Sequence, residues 1–261
     1  MGAELQVAAA GPEWLPVAAE VAQRLGLECL PEPVDRPAEL ASPALLVLVS
    51  GEGISLQATG KKAPGPVRVD WVHGRSGHRR RQGGAELLVK AIGVGRASRP
   101  LRILDATAGL GEDALVLAGF DCELVLFERS PVIAELLSDG MARAAHEPAL
   151  SDRLARMQLE RGDATHWLAA HPEAVDVVYL DPMFPEKRNS AAVRKEMQLA
   201  RSVVGDDGDA ALLLETGLAA ARHRVVVKRP RRADPLPGPE PATSVEGRSS
   251  RFDVYSRRAL P

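Results

Sequence analysis

The chain has 261 residues, 45% of them hydrophobic and 26% charged, with a formal net charge of −2, the composition of an ordinary globular protein able to bury a sizeable core. Its two cysteines, Cys29 and Cys122, lie far apart without CxxC spacing, which excludes a disulfide framework and a cysteine-ligated zinc site and points to a reducing, cytoplasmic compartment. The N-terminus lacks the basic and apolar regions of a signal peptide, and no apolar run approaches the ~18 residues that a membrane helix needs.

In chain order, LQVAA reads as a strand and PEWLPVAAEVAQRLGL as an amphipathic helix. A Pro-rich connection follows, and then ALLVLVS, ISLQA and VRVDWV read as short strands between Gly, Ser and Pro turns. Residues 1–72 are therefore expected to form a small α/β subdomain. Between His73 and Gly84 the segment HGRSGHRRRQGG is basic and glycine-rich and reads as an exposed loop. AELLVKAIGV follows as a helix.

From Arg102 the pattern alternates regularly. RILDATAG, CELVLFER, RMQLERGD, VDVVYLDP and RVVVKRP read as strands, with helices at EDALVLAGF, PVIAELLSDGMARAA, THWLAAHP, SAAVRKEMQLARSVV and AALLLETGLAAA. Such alternation predicts a mostly parallel, doubly wound sheet over residues 73–261. The terminal RFDVYSRR follows RVVVKRP without an intervening helix, so an antiparallel strand is expected at one edge. PRRADPLPGPEPATSVEGRSS, between them, reads as a surface excursion.

Chemistry concentrates at the strand ends. In LDATAGLGEDA, Asp105 closes a strand, and Gly109 and Gly111 turn the chain into a helix, where bare backbone can approach a ligand. Glu128 closes the next strand about twenty residues on, where an acid can accept ribose hydroxyls. GLGEDA also satisfies the G-x-G-x-x-A dinucleotide fingerprint, so an NAD(P)-dependent oxidoreductase is an alternative. Charge favours another ligand. Glu112 and Asp113 would repel a pyrophosphate, whereas S-adenosylmethionine brings a sulfonium and an ammonium. Asp163 ends the third strand, where an acid commonly meets an adenine amino group.

The fourth strand ends in Asp-Pro-Met-Phe. Asp181 and the Pro182 carbonyl can accept the two N–H groups of a planar exocyclic amine, and Phe184 offers a face on which a base stacks. Asp181, Pro182 and Phe184 are therefore the expected catalytic group, working mainly by positioning.

The set DATAGLG, LFER, VVYLDPMFP, the R-K-E-M helix, VVVKRP and RFDVY resembles the RsmJ family of bacterial small-subunit ribosomal RNA methyltransferases. The resemblance implies a class I, Rossmann-like methyltransferase fold with a seven-stranded sheet. It also implies transfer of methyl from S-adenosylmethionine to the N2 amine of a guanine near the 3′ end of 16S rRNA. Cofactor contacts carried over from the family fall on Glu112, Asp113, Glu128, Arg129, Asp163, Ala164 and Asp181. Where the family often has Arg-Asp after the glycine turn, this chain has Glu-Asp.

A ribosomal substrate also needs phosphate contacts. Three basic segments supply candidates: Arg75 with Arg79, Arg80 and Arg81; Lys187 and Arg188 with Arg194 and Lys195; and Lys228 and Arg229 with Arg231 and Arg232. Any such run can equally be a solvated face. The histidines show no metal-ligand spacing, and no metal is expected. Further alternatives are methylation of another base or of a protein amide, and a non-catalytic RNA-binding protein on the same scaffold.

Overall fold

The computed structural model of the chain describes residues 5–40, 45–61, 63–72, 84–183, 199, 203 and 208–261. The chain divides into two compact units. The first holds residues 1–69, 130–143 and 185–205, and the second holds 70–129, 144–184 and 206–261.

In the first unit β1 (Leu5–Ala9), β2 (Leu45–Ser50) and β3 (Gly53–Ala58) form a sheet in the order β1-β2-β3, with β1 and β2 parallel and β2 and β3 antiparallel. The helix Leu15–Leu25 buries Ala18, Val21 and Ala22, the i, i+3, i+4 stripe its sequence carries. Among the described residues VRVDWV, read as a strand, pairs only through a bridge from Val67 to Leu56. Val67 and Val69 of this unit, and Trp71 of the second, are all buried, so the alternation reports which side chains are withdrawn from solvent rather than a ladder of backbone bonds.

The helix Pro131–Ala144 belongs to this first unit through residues 130–143, although its sequence lies between strands of the second. Its buried Glu135 accepts a hydrogen bond from Arg24 Nη2 at 2.6 Å, and Asp139 Oδ2 accepts from the Ile54 N–H at 3.1 Å. A side chain at Gly140 would run into Val69 Cγ1 and Cβ, so only glycine allows this approach.

The second unit is built on a seven-stranded sheet of β4 (Arg102–Asp105), β5 (Glu123–Glu128), β6 (Met157–Arg161), β7 (Val175–Leu180), β8 (Ala221–Pro230), β9 (Thr243–Glu246) and β10 (Ser250–Ser256). Their order is β6-β5-β4-β7-β8-β10-β9. The first five in that order run parallel, and β10 is antiparallel to both β8 and β9. The antiparallel strand expected after β8 is thus β10. The outer edge beyond it is β9, four residues from within the segment read as a surface excursion. Strand β9 escapes the sequence pattern because TSVE leaves no residue buried.

Strand β7 is buried at all six positions, as a central parallel strand should be. Asp176 within it is compensated by Arg99, which donates twice at 2.8 Å, and by the Arg102 N–H at 3.0 Å. The short helix Pro148–Leu154 has no counterpart in the sequence reading; it buries only Leu150 and Leu154, too few positions to reveal a period. The helix read over SAAVRKEMQLARSVV falls outside the described residues, apart from Leu199 and Val203 in helical conformation. Among the described residues no helix is long and apolar enough to cross a membrane.

Candidate active site

The chain leaves β4 toward β5 and β6 on one side, while β7 and β8 lie on the other. The carboxyl ends of β4 and β7 therefore flank the point where the winding reverses, the place where open α/β sheets bind ligands. The glycine turn is pinned there from both sides. The Ala106 N–H donates to the Tyr179 carbonyl at 3.0 Å, and the Ala108 N–H donates to the Phe127 carbonyl at 2.9 Å. Gly109 and Gly111 adopt φ of 55° and 71°, left-handed values that L side chains take only under strain. Gly111 caps the helix Glu112–Leu117, so Glu112 and Asp113 sit in its first turn.

Acidic groups from three strands gather on this rim. Glu128, at the end of β5, is buried, and its Oε2 accepts the Gly109 N–H at 2.9 Å. Asp105, at the end of β4, is buried and accepts the Thr107 N–H at 3.1 Å. Burial pushes the Asp105 carboxyl up to about 8; the Thr107 N–H opposes the rise, Asp113 and Asp181 add to it, and Lys228 opposes it. Asp181 follows β7, with its backbone N–H donating to Thr107 Oγ1 at 2.7 Å.

A second set of contacts, not anticipated from sequence, joins these acids. Lys228 Nζ donates to Asp113 Oδ2 and to Asp181 Oδ2, each at 2.7 Å, and the Tyr179 hydroxyl donates to Asp113 Oδ2 at 2.7 Å. Register explains the grouping. Leu180 pairs with Val227 in the parallel β7–β8 ladder, so the next residues along, Asp181 and Lys228, come side by side. Tyr179 lies two residues before Asp181 and faces the same side of the sheet. Burial works against the charge of Lys228, but Asp181 and Asp113 more than offset it and raise its pKa. Burial, then Asp113 and Asp181, raise that of Tyr179 and keep its hydroxyl a donor.

The remaining expected positions occupy the same end of the sheet or its neighbourhood. Asp163 and Ala164 follow β6, where Asp163 caps the helix Ala164–Ala170 by accepting the Thr165 N–H at 2.8 Å. Burial opposes ionisation of Asp163, yet the Thr165 backbone and hydroxyl, His166 and Arg129 together lower its pKa. Arg129 Nη1 donates to both oxygens of Asp209 at 3.0 and 2.9 Å. Pro182, next to Asp181, is buried. Arg229 is buried, stands opposite Arg251 in the β8–β10 ladder, and donates to the Asp234 carbonyl. Phe184, Arg79, Arg80, Arg81, Lys187, Arg188 and Lys195 lie outside the described residues.

The charge of this donor set suits a cationic ligand. Asp105, Glu112, Asp113, Glu128 and Asp181 come from the ends of β4, β5 and β7 and the helix between them, and Lys228 is already engaged by two of these acids. A dinucleotide pyrophosphate would meet carboxylates at the helix start, whereas a sulfonium and an ammonium meet complementary charge. Among the described residues no group of three or more His, Cys, Asp or Glu side chains could hold a metal ion.

Strand order, glycine turn and acidic rim define a class I, S-adenosylmethionine-dependent methyltransferase. Residues 37–257 match a family model described as "Putative SAM-dependent methyltransferase". The ribosomal RNA small subunit methyltransferase J of Marinobacter nauticus is 52% identical over 94% of this chain and 88% of that protein. The protein of the same description from Pseudomonas aeruginosa strain UCBPP-PA14 is 49% identical, covering 98% of this chain and 96% of its own. A crystal structure of a SAM-dependent methyltransferase from Neisseria gonorrhoeae superposes with a TM-score of 0.71 at 32% identity, over 97% of this chain and 95% of that one. The chain belongs to the ribosomal RNA small subunit methyltransferase J family. That assignment removes the nicotinamide-cofactor alternative.

Proposed function

We propose that the protein transfers a methyl group from S-adenosylmethionine to the exocyclic N2 of a guanine near the 3′ end of 16S rRNA, in the cytoplasm. The observation that carries this reading is the placement of Asp181, directly after β7, beside the glycine turn and acids at the end of β4. Its relatives are described as acting on the RNA of the small ribosomal subunit.

In this reading the glycine turn with Glu112, Asp113, Glu128, Arg129, Asp163 and Ala164 seats the cofactor, and Asp105, whose carboxyl is pushed up to about 8, adds negative charge once the bound cation favours its ionised form. When bound, the cofactor supplies an electrophilic methyl carbon on a sulfonium. Asp181 accepts one N–H of the target amine and the Pro182 carbonyl accepts the other, so the nitrogen lone pair faces the methyl. Phe184 stacks on the base. The nitrogen becomes acidic as its new bond to carbon forms, so its proton leaves without a strong base, and geometry supplies most of the rate. The basic segments around Arg79–Arg81 and Lys187–Lys195, with Arg231 and Arg232, hold phosphates; Arg229, a candidate from the sequence, is buried and bonded to the Asp234 carbonyl and is not among them.

The test maps methylated nucleotides in 16S rRNA from cells lacking the protein, complemented with the wild type or with Asp181→Ala. The wild type is expected to restore one N2-methylguanine and the variant to leave it unmodified. Restoration by Asp181→Ala overturns the reading, and a lesion at an adenine N6 or a protein amide moves it to another acceptor.

A further inference from the structure

The basic residue Lys228 sits near the carboxyl end of β8, in VVVKRP, whose sequence suggests contact with RNA phosphate. Its surroundings suggest different work. The ammonium lies 2.7 Å from Asp181 and 2.7 Å from Asp113, two carboxylates that the fold brings from the end of β7 and from the helix after the glycine turn. Asp113 is itself fixed by the Tyr179 hydroxyl. A lysine held between two carboxylates directs its charge inward, and a phosphate would have to displace both partners to use it.

We infer that Lys228 is a positioning residue for methyl transfer: with Asp113 and Tyr179 behind it, it holds the Asp181 carboxylate in place to receive the target amine. The inference rests on the function proposed above and deepens it.

Two clamps act on Asp181. Thr107 Oγ1 fixes its backbone N–H from the β4 side, and Lys228 fixes carboxylate oxygen Oδ2 from the β8 side. Together they constrain both the main chain and the carboxylate plane, which is what an acceptor must have to aim a nitrogen lone pair. Among the described residues, the charged and titratable groups facing Asp181 are Asp105 on β4, Asp113 on the helix after the glycine turn, Tyr179 on β7 and Lys228 on β8. Lys228 is the cation of that set. Its ammonium favours the ionised carboxylate, the form able to accept an N–H, against the repulsion of the neighbouring acids.

The experiment measures methyl transfer to small ribosomal subunits and to 16S rRNA by the full chain carrying Lys228→Met, Lys228→Arg or Tyr179→Phe, with Asp181→Ala alongside. Binding of S-adenosylhomocysteine and a thermal melt establish that each variant is folded. For Lys228→Met the expectation is a kcat lower by roughly 10- to 100-fold with little change in KM for RNA. The acid limb of its kcat profile should move up by about 1–2 pH units, because the carboxylate loses its counter-charge. Lys228→Arg should keep the acid limb in place while losing part of kcat, and Tyr179→Phe should lose a smaller part, so either variant carries the test if Lys228→Met does not fold.

A phosphate-binding lysine gives the opposite split: KM for RNA rises, the salt dependence of binding weakens by about one unit of slope, and kcat and its pH profile stay put. That outcome overturns the inference while leaving the methyl-transfer reading intact. If Asp181→Ala itself retains wild-type kcat, the underlying reading fails as well.

Discussion

The carboxylate of Glu128 receives the N–H of Gly109 at 2.9 Å, so the end of β5 fixes the glycine turn that leaves β4. A turn with φ of 55° at Gly109 has few internal constraints, and this buried acceptor supplies one. Glu128→Ala should deprive the half-buried Gly109 N–H of its charged partner, a loss of about 1.5–3 kcal/mol where such a bond is broken. The expected outcome is an affinity for S-adenosylhomocysteine weaker by roughly 10- to 100-fold, measured by calorimetric titration. Glu128→Gln, which can still accept the Gly109 N–H, should recover part of it. Equal binding by all three proteins would dissociate Glu128 from the cofactor site.

Asp105 predicts a pH dependence with a definite sign. Its carboxyl is pushed up to about 8 by burial, against an ordinary value near 3.8. Between these values the folded protein holds a proton that the unfolded chain has released, so the contribution of Asp105 to stability is full at low pH and is lost as pH rises through 8. A cationic ligand works in the other direction, because it favours the ionised carboxylate. Affinity for S-adenosylmethionine should therefore rise between about pH 6 and 8, by at most about tenfold per unit, and level off above. Thermal melts and titrations from about pH 6 to 9 check both trends. Asp105→Asn should flatten them; a wild-type affinity independent of pH contradicts the assignment.

Thr107 links the two halves of the site. Its Oγ1 accepts the Asp181 N–H at 2.7 Å, across the gap between β4 and β7. Thr107→Val keeps the shape and removes the acceptor, leaving the Asp181 N–H without this partner. Turnover is expected to fall by about tenfold, with cofactor affinity nearly unchanged, because the lost bond aligns the acceptor end rather than the glycine turn. Thr107→Ser should retain most of the rate. Steady-state kinetics on 16S rRNA separates these outcomes.

How much of this was legible in the sequence differs from element to element. The central strands were, because β4, β5 and β7 are apolar runs ending in Asp105, Glu128 and Asp181, and a parallel sheet brings such ends to one rim. The family followed from the blocks around those same acids. The relay through Tyr179, Asp113 and Lys228 was not legible, since it depends on which strands are neighbours. With β7 beside β8 and Leu180 against Val227, the partnership of Asp181 and Lys228 follows, whereas the sequence placed Lys228 at a strand end on the same rim without naming its neighbour. Strand β9 was hidden for a related reason: four residues without buried side chains pair through backbone groups, to which a hydrophobic pattern is blind. Helix Pro131–Ala144 reads correctly as a helix, yet its period cannot tell which sheet it covers.

That helix yields the sharpest stability prediction. Gly140 lies in its interior, where glycine costs about 1 kcal/mol relative to alanine and a surface position would gain from Gly→Ala. Here an added Cβ would overlap Val69 Cγ1 and Cβ and stand 3.1 Å from the Val69 carbonyl oxygen. A valine is stiff about χ1, and these atoms lie close to the main chain, so no rotamer change clears the space. Overpacking of this kind costs typically about 1–3 kcal/mol, which exceeds the gain in helix propensity. Gly140→Ala should therefore lower the thermal midpoint, with the shift seen in the absence of cofactor and RNA. An unchanged or raised midpoint would show that Val69 can withdraw from the helix at little cost.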